Sequence, residues 1–225
     1  MKKLLLPLLL LVLFSMLAAV ETNASAVVGY VKYPCYTGIN LIALPMDVPV
    51  GYTCGDFADN YPGMISELDY WDAVNQQWIA AVDWGYWEGN FDVYPGLPMM
   101  ITANDDFDAY SLGALPAVNA SYALEPGINL MMIPLDKSDI NPLNNPDMTA
   151  DLSDAIGAGV LSEIDDWDAL NQQWIAAVDW GYWEGDFAIH IAMPLMVTAN
   201  EQATWPTRSR NDNTLHKSSL SKSKK

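Results

Sequence analysis

The chain alternates short apolar runs with polar turns and contains few stretches that suit a long helix. Residues 27–33, VVGYVKY, are β-branched and aromatic with alternation and predict a strand. The runs 38–46 and 127–135 are apolar and bounded by Gly and Pro, so they read as buried strands. Asn40 and Asn129 sit inside them. A buried amide must find partners, so a structural role pinning a neighbouring loop is expected. A short polar helix is predicted over 56–60, and its counterpart over 150–156 has Thr149 or Asp151 as N-cap and Gly157 as the stop.

A hairpin follows in each half. Residues 65–72 pair with 77–84 through a turn at 73–75, and 161–168 pair with 173–180. On the second strand Trp78, Ala80, Val82 and Trp84 share one face, while Ile79, Ala81 and Asp83 share the other. Trp71 and Trp78, lying within strands, are expected in the core. Final strands are predicted over 91–102, interrupted at Pro95-Gly96, and over 187–198. A further strand-like piece covers 109–115.

The halves are copies. Residues 75–89 and 171–185 both read NQQWIAAVDWGYWEG and hold six of the nine tryptophans. From Ser66 to Gly89 against Ser162 to Gly185, 21 of 24 positions agree. The expected fold is mainly β, with one short helix per repeat: a tandem duplication of two small sheet or open-barrel modules, side by side. The divisions are a signal peptide at 1–26, module one at 27–108, module two at 109–206 with a leading connector strand, and a disordered basic tail at 207–225.

The ends and the charge set the compartment. Lys2 and Lys3, an apolar run to Leu17 and the small residues Ala24-Ser25-Ala26 form a secretory leader. A secreted or cell-surface location is therefore expected, and no later stretch suits a bilayer span. Between residues 27 and 206 only Lys32 and Lys137 face 26 acidic side chains. Such a surface repels nucleic acid. Export permits a disulfide, and Cys35 with Cys54 is the expected staple.

Gly38, Asn40, Leu41, Ile42 and Pro45, then Trp71, Asp72, Gln76 and Trp78, form a recurring signature. Trp167, Asp168, Gln172 and Trp174 repeat its second part. The order resembles extracellular β-repeat modules of bacterial secreted and surface proteins. The resemblance implies a β module without enzymatic activity, often appended to larger proteins. The chain departs from it at 97–100 and 193–196, where Pro98 and Pro194 replace an aromatic region.

Catalytic parts are scarce. His190 and His216 are the only histidines, too few for a nucleophile–His–carboxylate set in the body, and no zinc spacing or phosphate loop appears. No metal site or cofactor is expected, with structural calcium at the acidic connector 104–108 as the alternative. The residues singled out for ligand contact are Asp83, Trp84, Tyr86, Trp87 and Glu88, with Asp179, Trp180, Tyr182, Trp183 and Glu184. Aromatics crowding a Gly-bounded loop must bury somewhere: in a core, between the repeats or in a ligand. The expected function is a non-catalytic adhesion or structural module, with polysaccharide or another surface protein as partner. The alternatives are a bivalent carbohydrate-binding protein using these loops and a small secreted glycosidase with paired carboxylates.

Overall fold

The computed structural model describes residues 28–138, 140 and 146–206. The leader and the basic tail expected from the sequence lie outside them. The first copy contains β1 (Val28–Cys35), β2 (Gly38–Ala43), α1 (Cys54–Ala58), β3 (Ile65–Asp72), β4 (Gln77–Asp83), β5 (Trp87–Glu88), β6 (Pro98–Ala103) and β7 (Phe107–Ala114). The second contains β8 (Tyr122–Leu124), β9 (Gly127–Met132), β10 (Asp147–Met148), α2 (Thr149–Ile156), β11 (Leu161–Asp168), β12 (Gln173–Asp179), β13 (Trp183–Glu184), β14 (Ala188–Ile189), β15 (Pro194–Ala199) and β16 (Ala203–Trp205). The chain is mainly β and duplicated, as the pattern predicted.

Each copy builds a five-stranded antiparallel sheet, in the order β2-β6-β3-β4-β5 or β9-β15-β11-β12-β13. Each adds a two-stranded ribbon, β1 with β7 or β8 with β16. Strand β7 runs across position 108 and pairs with β1 along its whole length, so it completes the first copy. The last strands are shorter than the pattern suggested and begin at Pro98 and Pro194. Proline lacks an N–H and is tolerated at the first residue of a strand. The helices start slightly earlier than predicted, with Thr53 and Met148 as N-caps rather than Thr149 or Asp151. Gly157 closes α2, as expected.

Period-two alternation decides which face of each sheet is buried. Leu68 stands opposite Ala81 and Ile101, and all three are fully buried. Ile164, Ala177 and Val197 repeat the arrangement in the second copy. The face carrying Trp78, Ala80 and Val82 is therefore the outer one, which corrects the expectation that Trp71 and Trp78 are core. Their rings meet edge-on at 5.1 Å on that outer face, and Trp78 is 40% exposed. Trp167 and Trp174 repeat the contact at 5.0 Å.

The cysteines do not pair: both are free and buried, which corrects the predicted disulfide. Each has separate work. Cys35 occupies the place of Leu124 at the end of the ribbon and packs as a small hydrophobe. The Cys54 thiol bonds Asn90 Oδ1 at 3.0 Å and accepts from the Phe91 N–H at 3.4 Å. In the second copy the Thr149 hydroxyl donates to Asp186 and accepts from the Phe187 N–H. Cys54 thus does the work of a hydroxyl, and its counterpart is Thr149.

The two sheets meet through an exchange of contacts. Strand β2 lies against β11 and β15, and β9 lies against β3 and β6. An edge strand leaves N–H and C=O groups unpaired. Here the other copy's hairpin supplies them. Gln172 Oε1 accepts from the Ile39 N–H at 2.8 Å, and Gln172 Nε2 donates to the Ile39 carbonyl at 2.9 Å. Trp167 Nε1 donates to the same carbonyl at 2.7 Å. In the reverse direction Gln76 accepts from the Ile128 N–H and donates to its carbonyl at 2.9 and 3.0 Å, and Trp71 donates at 2.7 Å. Tyr33 donates to the Ala192 carbonyl, and Tyr122 donates to the Gly96 carbonyl. Identical contacts in both directions describe an approximate two-fold axis.

Both ends of this clamp constrain the backbone. Gln76 and Gln172 have φ of 51° and 54°. Gly38 and Gly127 have φ of 104° and 103°, and a Cβ on either would lie 2.5 Å from the docked glutamine oxygen. Buried Asn40 and Asn129 hold the preceding turns: Asn40 accepts from the Tyr36 N–H and donates to the Tyr36 and Gly38 carbonyls. Replacing Gln76 or Gln172 by Ala strands one backbone N–H at the interface, and each change should cost roughly 1–3 kcal/mol. Urea unfolding of the two single variants and the double variant checks this, with Gly127→Ala at least as damaging.

Candidate functional site

The repeated Asp-Trp-Gly-Tyr-Trp-Glu segment forms the tip between β4 and β5, and again between β12 and β13. Asp83 pairs with Trp87 across the tip, leaving a three-residue loop. Asp83 Oδ1 accepts from the Gly85 N–H at 2.7 Å, and the Trp84 N–H donates to the Tyr86 carbonyl at 3.0 Å. Gly85 takes φ of 86°, a region that disfavours side chains. Gly89 is also obligatory, because a Cβ there would lie 2.3 Å from the Ala80 carbonyl oxygen. The second tip repeats the bonds at 2.7 and 3.0 Å with Asp179, Gly181, Trp180 and Tyr182.

This geometry divides the residues singled out from the sequence. Asp83 and Asp179 shape the turn. Trp87 and Trp183 are half-buried and pack against the module cores. Trp87 covers the start of α1, where a Cβ on Gly55 would lie 3.0 Å from its ring. Trp84 and Tyr86 point outward, 68% and 65% exposed, and Trp180 and Tyr182 match them at 68% and 66%. Glu88 and Glu184 are exposed beside them. Each tip therefore presents two rings and a carboxylate on a turn fixed by hydrogen bonds.

The other candidates are otherwise engaged. In the connector, Asp106 accepts from the Thr37 N–H and hydroxyl, Asp108 pairs with Lys32, and Asn104 donates to the Gly63 carbonyl. Among the described residues no group of three or more His, Cys, Asp or Glu is arranged to hold a metal. His190 is exposed just beyond β14, near Asp166. The Asp166 carboxyl is raised by burial, and His190 partly offsets this.

Sequence reasoning missed two groups. One is the clamp of Trp71, Gln76, Trp167 and Gln172, whose signal was its strict repetition. The other is Asp69 and Asp165, on the outer sheet faces. Asp165 is buried at 3% exposure on β11, a strand that also meets β2. Burial pushes its carboxyl up to about 7, with neighbouring Glu163 adding to the effect. Burial and Glu67 push Asp69 up to about 6.

Both groups hold their protons more tightly in the folded chain than in the unfolded one. The stability they contribute is full below about pH 4, falls as pH rises, and is lost once pH passes about 6 for Asp69 and about 7 for Asp165. Denaturant midpoints should therefore fall between pH 4.5 and 8. The Asp69→Asn/Asp165→Asn variant should show a flatter profile and gain roughly 2–4 kcal/mol over the natural chain at pH 8.

Comparison of the chain with protein-family models, curated proteins and solved structures returned no match, so its likeness to extracellular β repeats rests on the motif residues themselves.

Proposed function

We propose that the protein is a non-catalytic adhesion module, secreted or held at a cell surface, that binds polysaccharide through its two aromatic tips. The observation that carries this reading is the matched exposure of Trp84 and Tyr86 with Trp180 and Tyr182. Two large exposed rings side by side on a turn closed by hydrogen bonds are the kind of apolar patch that marks an interaction site. Ring faces stack on the C–H faces of sugars, and Glu88 and Glu184 can accept hydrogen bonds from hydroxyls. The leader at 1–26 supports export, and the acidic body argues against nucleic acid as the ligand.

Sheet order bears on how two sites would work together. Strands β4 and β5 lie at the edge of their sheet remote from β2, and β12 and β13 at the edge remote from β9. Each tip therefore lies at the sheet edge opposite the edge strand that meets the other copy. Two stretches of one polymer, or two neighbouring chains, can be engaged at once, and linked sites multiply weak affinities.

Retention on insoluble cellulose, chitin and xylan tests the reading. The natural chain should be retained by at least one of them, and Trp84→Ala/Trp180→Ala should lose retention by about tenfold or more. Single-tip variants should fall between. These rings are exposed, so the variants should keep the unfolding midpoint of the natural chain. Equal retention of a folded double variant, or no retention on any of the polysaccharides, would overturn the reading.

A further inference from the structure

The copies differ most in chemistry at one place away from the tips. In the first copy a groove of about 690 Å³ opens between the 44–52 loop, α1 and β7. Its size suits a small-molecule site. Tyr52, Phe57, Tyr61 and Tyr110 line it, with Asp56 and Asn60 beside them. The Tyr61 hydroxyl accepts from the Tyr110 N–H at 2.7 Å, and Asn60 donates to the Tyr52 hydroxyl at 3.1 Å. Hydrogen bonds from Thr53 hold the Asp56 carboxyl below its ordinary value, so it stays charged. No basic side chain lines the groove.

The second copy does without this set. The counterparts of Tyr52, Phe57, Tyr61 and Tyr110 are Asp147, Leu152, Ile156 and Pro206. Ile156 has no hydroxyl and Pro206 no N–H, so both halves of the Tyr61–Tyr110 bond are missing together. The sheet and helix still form, so the fold does not require the rings.

The second copy also places side chains of its own longer loop against the equivalent residues. The offset between equivalent residues grows from 89 at Pro45 and Pro134 to 95 at Cys54 and Thr149, so its loop is longer. That loop brings Ile140, fully buried, into the cluster with Ile133 and Leu152, the counterparts of Leu44 and Phe57. It also brings the Lys137 ammonium onto the buried Asp147 carboxylate, at the counterpart of Tyr52. An ammonium and an aliphatic group thus stand against the equivalents of the groove walls. The first copy has the shorter loop and leaves the space open.

We propose that the first-copy groove binds an organic cation with an apolar body, an alkyl- or arylammonium, where the second copy places its own Lys137 and Ile140. Ring faces attract such cations, and the acidic body raises their local concentration. The site is separate from the aromatic tips and does not depend on polysaccharide binding.

Titration of the full chain with choline, followed by backbone NMR shifts, tests the proposal against the neutral isostere 3,3-dimethylbutan-1-ol. Choline should saturate with shifts confined to 44–61 and 110–112, and the alcohol should bind about tenfold more weakly or worse. Tyr52→Leu/Tyr110→Leu should weaken choline by a similar factor, and grafting residues 137–146 in place of 48–51 should abolish binding. Equal affinity for the alcohol overturns the proposal, as does unchanged affinity in a folded Tyr52→Leu/Tyr110→Leu chain. Unsaturable shifts scattered over the acidic surface overturn it too. If the double variant unfolds, the choline–alcohol comparison on the natural chain decides.

Discussion

A side-chain amide stands in for a missing strand, and the assembly depends on it. Strands β2 and β9 are edges whose outward peptide groups would otherwise need water or an unwanted neighbour. Gln172 and Gln76 present one acceptor and one donor at nearly the spacing of a peptide, and each closes two backbone bonds. The requirement spreads outward from there. Glycine is needed at 38 and 127 to admit the amide, and a left-handed backbone is needed at 76 and 172 to aim it. Buried Asn40 and Asn129 then fix the turns that present the receiving glycines. The Gly-x-Asn-Leu and Trp-Asp-x-x-x-Gln motifs are two halves of one contact, divided between copies.

Much of the fold could be read from the chain. The bounds of the hairpin strands follow from alternation, and the turns follow from Gly, Asn and Asp. Other features were hidden for physical reasons. Period two separates the faces of β4 but does not say which is inward; Ala81 took the core opposite Leu68, whereas Ile79 stays half-buried. The prolines at 98 and 194 start strands, which apolar content alone could not reveal. Cysteine spacing permitted a bridge, but Cys54 replaces a threonine hydroxyl and Cys35 replaces a leucine. The Leu124 match is visible in the sequence alignment of the copies; the sequence sets Ala150 against Cys54, and only the hydrogen bonds show Thr149 in that place.

The tips were legible as a place, and their division of labour was not. Sequence identity held Asp83, Trp84, Tyr86, Trp87 and Glu88 equal. Geometry assigns Asp83 to the turn and Trp87 to the flank of α1, leaving Trp84 and Tyr86 outside. Where identity lapses, at Tyr61 and Ile156 or Tyr110 and Pro206, the lapse is informative, because the paired differences mark a contact that one copy has whole and the other lacks whole.

The segment joining β7 to β8 has a consequence of its own. Two free modules would have to find each other against lost translational and rotational freedom. Joined by residues 115–121, they meet at an effective concentration set by a short tether. Such an interface can be small and need not be stable as a free dimer. Covalent linkage also frees each copy to change alone: a symmetric dimer would repeat every substitution twice, whereas this chain keeps its mated surfaces and tips alike while the loops after β2 and β9 diverge.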